Sequence, residues 1–362
     1  MQRSDFLPGV ASFSGGWRVI SLLESARAHN IAVIHQIPQS FKPAWWCRSG
    51  HAQTIWAATL RVMPSVPLKR EQWETPDGDF LNIDRVSAKV GQPTLIVLHG
   101  LEGSSATTHV RGFLRAAFDL GWQGLGVNFR SCGGEPNRLR RFYHGGETTD
   151  LHWIIERLSK QDPNALIFCV GISLGGNVLL KYLGEQADGA PAQLRAAAAI
   201  STPFDLAASA HAFEKDSFNR IYMRRLVRSL KQKAFHKLKR YPDLADHRRL
   251  AAVRTIVEFD EVVTAPLNGF ADAKSYWQAS SSKRFLASIR RPALLINAMD
   301  DPLVPADSLP RQEEVAKNPR LSALFTEAGG HVGFVAGEWP NQPLFWAQES
   351  AIYFLTEHMK SA

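Results

Sequence analysis

The sequence predicts an α/β fold, in which a mostly parallel central sheet carries helices on both faces and is interrupted by a helical insertion. Three observations predict it. Short β-rich runs alternate with amphipathic helical runs from residue 93 onward. Several of those runs, Leu95-Ile96-Val97 and Leu166-Ile167-Phe168-Cys169-Val170 among them, are apolar throughout, as strands covered on both faces are. The alternation then lapses between about 205 and 285, where Arg, Lys, Phe and Tyr accumulate without a strand pattern.

Strands are expected at 93–98, 123–129, 165–170, 194–200, 293–296 and 321–326. Helices are expected at 110–120, where Phe113, Leu114, Ala117 and Leu120 share a face, and at 151–158, 177–183 and 345–358. Residues 69–92, folded around Pro76-Asp77-Gly78-Asp79, should add antiparallel strands at one edge. A length of 362 residues is long for one domain and short for two. The expected division is an N-terminal extension (1–68), the first part of the core (69–204), a helical cap insertion (205–284) and the second part of the core (285–362). Residues 1–30 carry little pattern, and partial disorder is expected there.

Composition narrows the function. No apolar run approaches the roughly eighteen residues a membrane span needs. Asp5, Gly15, Gly16 and Arg18 break any signal-peptide core, so a cytoplasmic protein is expected. Cys47, Cys132 and Cys169 are far apart and lack C-x-x-C spacing, which argues against a disulfide framework or a zinc site; Cys169 reads as a packed core thiol. The formal charge is +8, yet residues 220–249 alone hold eleven Lys or Arg against two Asp, which accounts for the whole excess. Met223, Val227, Leu230, Ala234 and Leu238 form an apolar stripe through that segment. It reads first as an amphipathic cap helix, and also allows peripheral contact with an anionic membrane. No nucleic acid is expected, because no reading motif accompanies the charge. No G-x-G-x-x-G or metal-ligand motif appears, so no cofactor is expected.

The chemistry is concentrated in Gly171-Ile172-Ser173-Leu174-Gly175, which follows a strand and opens a helix. That context makes a nucleophile elbow: a tight turn presents the serine, and only small residues fit two positions to either side. It places the chain in the α/β-hydrolase fold, with Ser173 as nucleophile. Acyl transfer develops an oxyanion that needs two N–H donors. Leu174, after the nucleophile, and Leu101, in His99-Gly100-Leu101-Glu102-Gly103, are placed to supply them. His99 itself should shape this loop. A serine hydroxyl needs a base, and chain order in this fold puts it late. His331, in Gly329-Gly330-His331-Val332-Gly333-Phe334, fits. The acid is Asp300 or Asp301, and the spacing to Val304-Pro305 favours Asp301.

These residues lie within longer segments: GHAQTIWA at 50–57, HGLEGSS at 99–105, NFRSCGGEPNR at 128–138, YHGGETTDL at 143–151, GISLGGNVLLKYLGE at 171–185, EFDEVVTAPLNGF at 258–270, LLINAMDDPLVP and GGHVGFV. Together they resemble the YheT/EMB8-like group of α/β-hydrolases, related to the ABHD1/ABHD3 proteins, from about His51 to the C-terminus. Ser173, Asp301 and His331 fall on that group's triad positions. The resemblance implies hydrolysis of carboxylic esters, short- to medium-chain acyl esters and acylglycerols included, with a small-molecule ester as the partner. An acyltransferase using the same triad, and a ligand-binding protein that kept only the fold, are the alternatives.

Three further expectations concern packing. Phe213, Phe218, Tyr222 and Met223 should roof the acyl pocket. Trp45, Trp46 and Trp56 should anchor the extension. The loop 130–146 should either line the pocket or act as a hydrogen-bonded scaffold.

Overall fold

A computed structural model describes residues 40–360; the expectation for residues 1–30 lies outside that range. Eight strands form one sheet: β1 (Lys69–Glu74), β2 (Phe80–Val86), β3 (Thr94–Leu98), β4 (Gln123–Asn128), β5 (Ile167–Ile172), β6 (Leu194–Ile200), β7 (Ala293–Ala298) and β8 (Leu321–Thr326). Their order is β1-β2-β4-β3-β5-β6-β7-β8. The β1–β2 and β2–β4 pairs are antiparallel and the others parallel. The expected edge hairpin turns at Gly78, whose φ of 81° suits glycine and whose N–H donates to Thr75 O at 3.0 Å.

Side chains alternate across the sheet as the pleat requires. On β3, Leu95 and Val97 point into one core with Phe113 and Leu114 of α2 (Thr108–Asp119), while Ile96 and Leu98 point into the other with Ile154 and Ile155. Ile154 and Ile155 belong to α3 (Thr149–Gln161), and α4 (Leu174–Gln186) packs on the same side. Both layers bury apolar area at roughly 25 cal/mol per Å². Cys169 is fully buried in the second core, and burial raises its thiol well above the ordinary range.

Between β6 and β7 the chain is helical: α5 (Leu206–Ala212), α6 (Ser217–Leu238), α7 (His247–Ala252), α8 (Ile256–Phe259) and α9 (Ala273–Ser280). Asp216 caps α6 by accepting from Asn219 N at 2.8 Å. The stripe Met223, Val227, Leu230, Ala234 and Leu238 is buried along its length, while Arg220, Arg224 and Arg228 face outward. Trp346–Lys360 forms a closing helix on the α2 side.

The parallel strands all end on one edge. There β3 leads one way to β4, and α3 returns the chain to β5 on the other side of β3. Such a change of direction opens a crevice at the strand C-termini. Leu98 pairs with Gly171, so the segment after β3 lies beside the segment after β5.

Candidate active site

Ser173 occupies the turn between β5 and α4 with φ 53° and ψ −120°, a conformation costly for a residue with a side chain. Its N–H donates to Ile200 O at 2.8 Å, which ties the turn to the end of β6. A Cβ on Gly171 would lie 2.4 Å from Gly175 O, and one on Gly175 would lie 2.7 Å from the carbonyl oxygens of Leu98 and His99. The elbow therefore admits only glycine at both flanks. The N-terminus of α4 behind Ser173 favours negative charge there.

His331 reaches Ser173 from the loop after β8. Ser173 Oγ and His331 Nε2 are 2.9 Å apart, and His331 Nδ1 lies 2.8 Å from Asp301 Oδ2. The Asp301 side chain is fully buried, and its other oxygen accepts from Leu303 N at 2.8 Å and Val304 N at 3.1 Å. Asp300 points elsewhere and accepts from Gly330 N at 2.8 Å. Burial, and then the charge of Asp301, raises the Asp300 carboxyl above its ordinary range. Asp301 is thus the carboxylate that contacts the imidazole, and Asp300 the one that holds the loop.

The histidine loop is also gripped from the N-terminal side by α1 (Gly50–Thr59). Thr54 Oγ1 accepts from His331 N at 2.8 Å and donates to Gly50 O at 2.7 Å. Gln53 pairs with the Val335 backbone in the manner of a strand: its Nε2 donates to Val335 O at 3.0 Å, and its Oε1 accepts from Val335 N. Gly330 has φ 59°, and a Cβ there would lie 2.2 Å from Gly50 O. Thr54 and Gln53 escaped the sequence reading. Their segment carried part of the resemblance, but contacts nearly 280 residues apart leave no local signal.

Leu101 and Leu174 both line the cavity at Ser173, and neither N–H donates to a protein acceptor among the described residues. A Cβ on Gly100 would lie 3.0 Å from Ser173 Cβ, so the Gly100-Leu101 backbone abuts Ser173. His99 is fully buried: Nδ1 lies 2.7 Å from Gly100 O, and Nε2 accepts from Phe129 N at 3.1 Å. Burial pushes its imidazole down to about 4, so at neutral pH it is an uncharged brace for the loop.

A cavity of about 590 Å³ opens over these groups, walled by α1, the 142–145 stretch and the helices between β6 and β7. Of the four expected roof residues, Phe213 and Tyr222 line it. Phe218 and Met223 do not. Phe218, one turn before Tyr222, lies past the cavity rim, 56% exposed with its ring 5.1 Å from His51; Met223 belongs to the buried stripe beneath α6. Trp45 also departs from expectation. It is 62% exposed and donates to Glu338 O, whereas Trp46 and Trp56 pack together 5.2 Å apart.

The loop 130–146 plays both of its anticipated parts. Its first half is scaffold: buried Arg130 pairs with Asp79 at 2.8 Å and Asp150 at 2.7 Å. Burial opposes the Asp79 charge, but donors from Asn137, Arg138, Leu139 and Phe80 outweigh it and hold the carboxyl down at about 2. Its second half, Phe142 to Gly145, lines the cavity. Asp260, also unread from sequence, sits in a π-turn (Asp260–Thr264) at the cavity wall and accepts from Trp277 Nε1 at 2.8 Å. Burial pushes its carboxyl up to about 6.

Comparison with known proteins fits this geometry. Residues 93–337 match the family model described as alpha/beta hydrolase fold. YheT of Escherichia coli (strain K12), a candidate esterase by name, is 36% identical over 86% of this chain and 91% of its own. The monoacylglycerol lipase of Saccharomyces cerevisiae is 31% identical over 76% of this chain and 62% of its own. Human phospholipase ABHD3 is 29% identical over 85% of this chain and 77% of its own. With an elbow serine at the crossover of a mostly parallel sheet and a match that spans both halves of that sheet, the chain belongs to the alpha/beta hydrolase fold family, in the group that contains YheT and ABHD3.

Proposed function

We propose that the chain hydrolyses carboxylic esters through an acyl-enzyme on Ser173. One observation carries this reading. Ser173 Oγ lies 2.9 Å from His331 Nε2, which is backed at 2.8 Å by a buried Asp301, at the floor of a largely apolar cavity. Ser173 gives its proton to His331 Nε2 while Oγ bonds to the ester carbonyl carbon. The carbonyl oxygen takes the negative charge and receives the N–H groups of Leu101 and Leu174. Asp301 stabilises the imidazolium and fixes its tautomer. The imidazolium then protonates the alcohol oxygen as the C–O bond breaks. Water attacks the acyl-enzyme by the same route and releases the acid. Esterase and lipase names among the relatives support an ester substrate.

Residues 205–284 act in this reading as a cap that measures the acyl chain. Each buried methylene contributes about 0.8 kcal/mol, so a roofed cavity discriminates chain lengths. With p-nitrophenyl esters from acetate to palmitate, kcat/KM is expected to peak at short or medium chains and fall beyond. Phe213→Ala or Tyr222→Ala should move that peak toward longer chains while labelling of Ser173 by a fluorophosphonate persists. An unchanged profile would transfer the measuring role to the 142–145 wall.

The outer face of α6 meets an anionic lipid surface in the same reading. Arg220, Arg224 and Arg228 are exposed there, and Phe218 and Ile221, 56% and 60% exposed, stand among them. Each Arg near such a surface is worth about 1 kcal/mol. The chain should sediment with phosphatidylglycerol-containing vesicles at low salt and release them when the three arginines become Gln. Equal binding to pure phosphatidylcholine would reject this contact.

A further inference from the structure

The loop that presents Leu101 is bound to α6 by a cluster of charged and polar side chains that the mechanism above does not use. Gly103 N donates to Gly100 O at 3.0 Å, which closes a four-residue turn with Glu102 at its third position. Glu102 has φ 55°, where that position ordinarily calls for glycine, so the turn holds its shape against a local backbone cost. Glu102 N donates to Tyr143 Oη at 2.8 Å, and the Tyr143 hydroxyl donates back to Glu102 Oε1 at 2.8 Å. Tyr143 is in turn stacked on Phe129, with ring centroids 5.4 Å apart. From α6, Lys233 Nζ reaches Glu102 Oε1 at 2.8 Å and Ser229 Oγ donates to Glu102 Oε2. The Glu102 side chain is 4% exposed and that of Lys233 25%. Lys233 also lies 3.1 Å from Cys132 Sγ.

A carboxylate this deep, placed one residue beyond a proposed oxyanion donor, is an expensive way to hold a loop. An apolar contact would serve packing as well, since buried ion pairs are often no more stabilising than hydrophobic replacements. What an ion pair with three donors does supply is a single geometry. We infer that Glu102 and Lys233 are positioning residues for acyl transfer: their ion pair locks the strained turn to α6 and so fixes where the Leu101 N–H points. The inference rests on the reading of Leu101 as an oxyanion donor. It also makes the donor's aim depend on a helix that lies more than a hundred residues away in sequence. Burial works against the Lys233 charge, but its contacts with Cys132 and Glu102 more than offset that and raise the ammonium above its ordinary range.

The effect should fall on the transition state and spare the ground state. Loss of an oxyanion donor costs about 10²–10³ in kcat, and a donor mis-aimed rather than removed should cost about 10–100-fold. Lys233→Met is therefore expected to lower kcat for p-nitrophenyl butyrate by about 10–100-fold, with KM within about twofold. Inhibition by an acyl trifluoromethyl ketone, whose hemiketal oxygen occupies the oxyanion position, should weaken by the same factor. Lys233→Arg, which keeps a cation within reach of Glu102, should recover most of the loss. Because Lys233→Met leaves a buried carboxylate unpaired and could unfold the chain, Lys233→Met combined with Glu102→Gln is measured beside it. The double variant should melt near the wild type and still show the kcat defect.

A folded Lys233→Met or double variant with wild-type kcat overturns the inference. So does a rise in KM at constant kcat, which would make Lys233 a substrate-binding group, and so does a Lys233→Arg variant as impaired as Met. A wild-type chain that neither hydrolyses the ester nor takes a fluorophosphonate at Ser173 overturns the acyl-enzyme reading along with this one. An active wild type with an unimpaired Lys233→Met variant overturns this one alone.

Discussion

Ser173→Ala is expected to lower ester hydrolysis by about 10⁵–10⁶-fold and to abolish fluorophosphonate labelling, with the melting temperature close to that of the wild type. The size of the loss follows from the chemistry. Without Oγ there is no acyl-enzyme, and the groups that remain can only bind the ester and polarise its carbonyl. The fold should be indifferent. Alanine meets the same backbone cost at φ 53° as serine does, and the turn is held by Ser173 N–H to Ile200 O, which the substitution leaves in place. Activity that survived would redirect attention to Ser201. That residue also has a positive φ, 50°, and its Oγ lies 2.9 Å from Val332 N, next to His331. Mass spectrometry of the labelled peptide separates the two serines directly.

Asp301→Asn is expected to lower kcat by about 10⁴-fold, and Asp300→Asn by less than about tenfold. The two carboxylates are adjacent in sequence and do different work. An amide at 301 keeps its carbonyl on Leu303 N and Val304 N, where Asp301 Oδ1 now accepts. It therefore turns an NH₂ toward His331 Nδ1. That nitrogen must then accept, the ring proton moves to Nε2, and Nε2 can no longer take the proton of Ser173. An amide at 300 still offers a carbonyl to Gly330 N, so the loop keeps its anchor. Steady-state kinetics of the two variants under identical conditions checks the ranking. The reverse order would make Asp300 the partner of His331 in the working enzyme.

Much of this arrangement was legible in the amino-acid sequence because it is local. The strands at 194–200 and 321–326 have the bounds expected of them, since each is a compact apolar or β-rich run between polar breaks. The turn that holds Ser173 was legible because a strand, a tight turn and a helix must follow one another within a few residues. The less legible parts are those decided by contacts across the chain. Thr54 is one threonine in a short helix of unremarkable pattern until His331 N is seen to donate to it. Glu102 and Lys233 are 131 residues apart, and neither suggests the other. Phe218 and Tyr222 share helical spacing, yet the rim of the cavity passes between them, and no periodicity records where a rim falls.

The grip of Thr54 and Gln53 on the histidine loop has a consequence for how the protein is made. Translation proceeds from the N-terminus, at about 5–20 residues per second. The helix that braces the loop emerges before the elbow serine, and His331 and Val335 emerge after both. Until then Thr54 and Gln53 lack their partners in the histidine loop, and Ser173 lacks His331. Closure of such long loops is among the slower events in folding, so the contact between Ser173 and His331 should form late, when residues 50–59 meet the loop at 329–335.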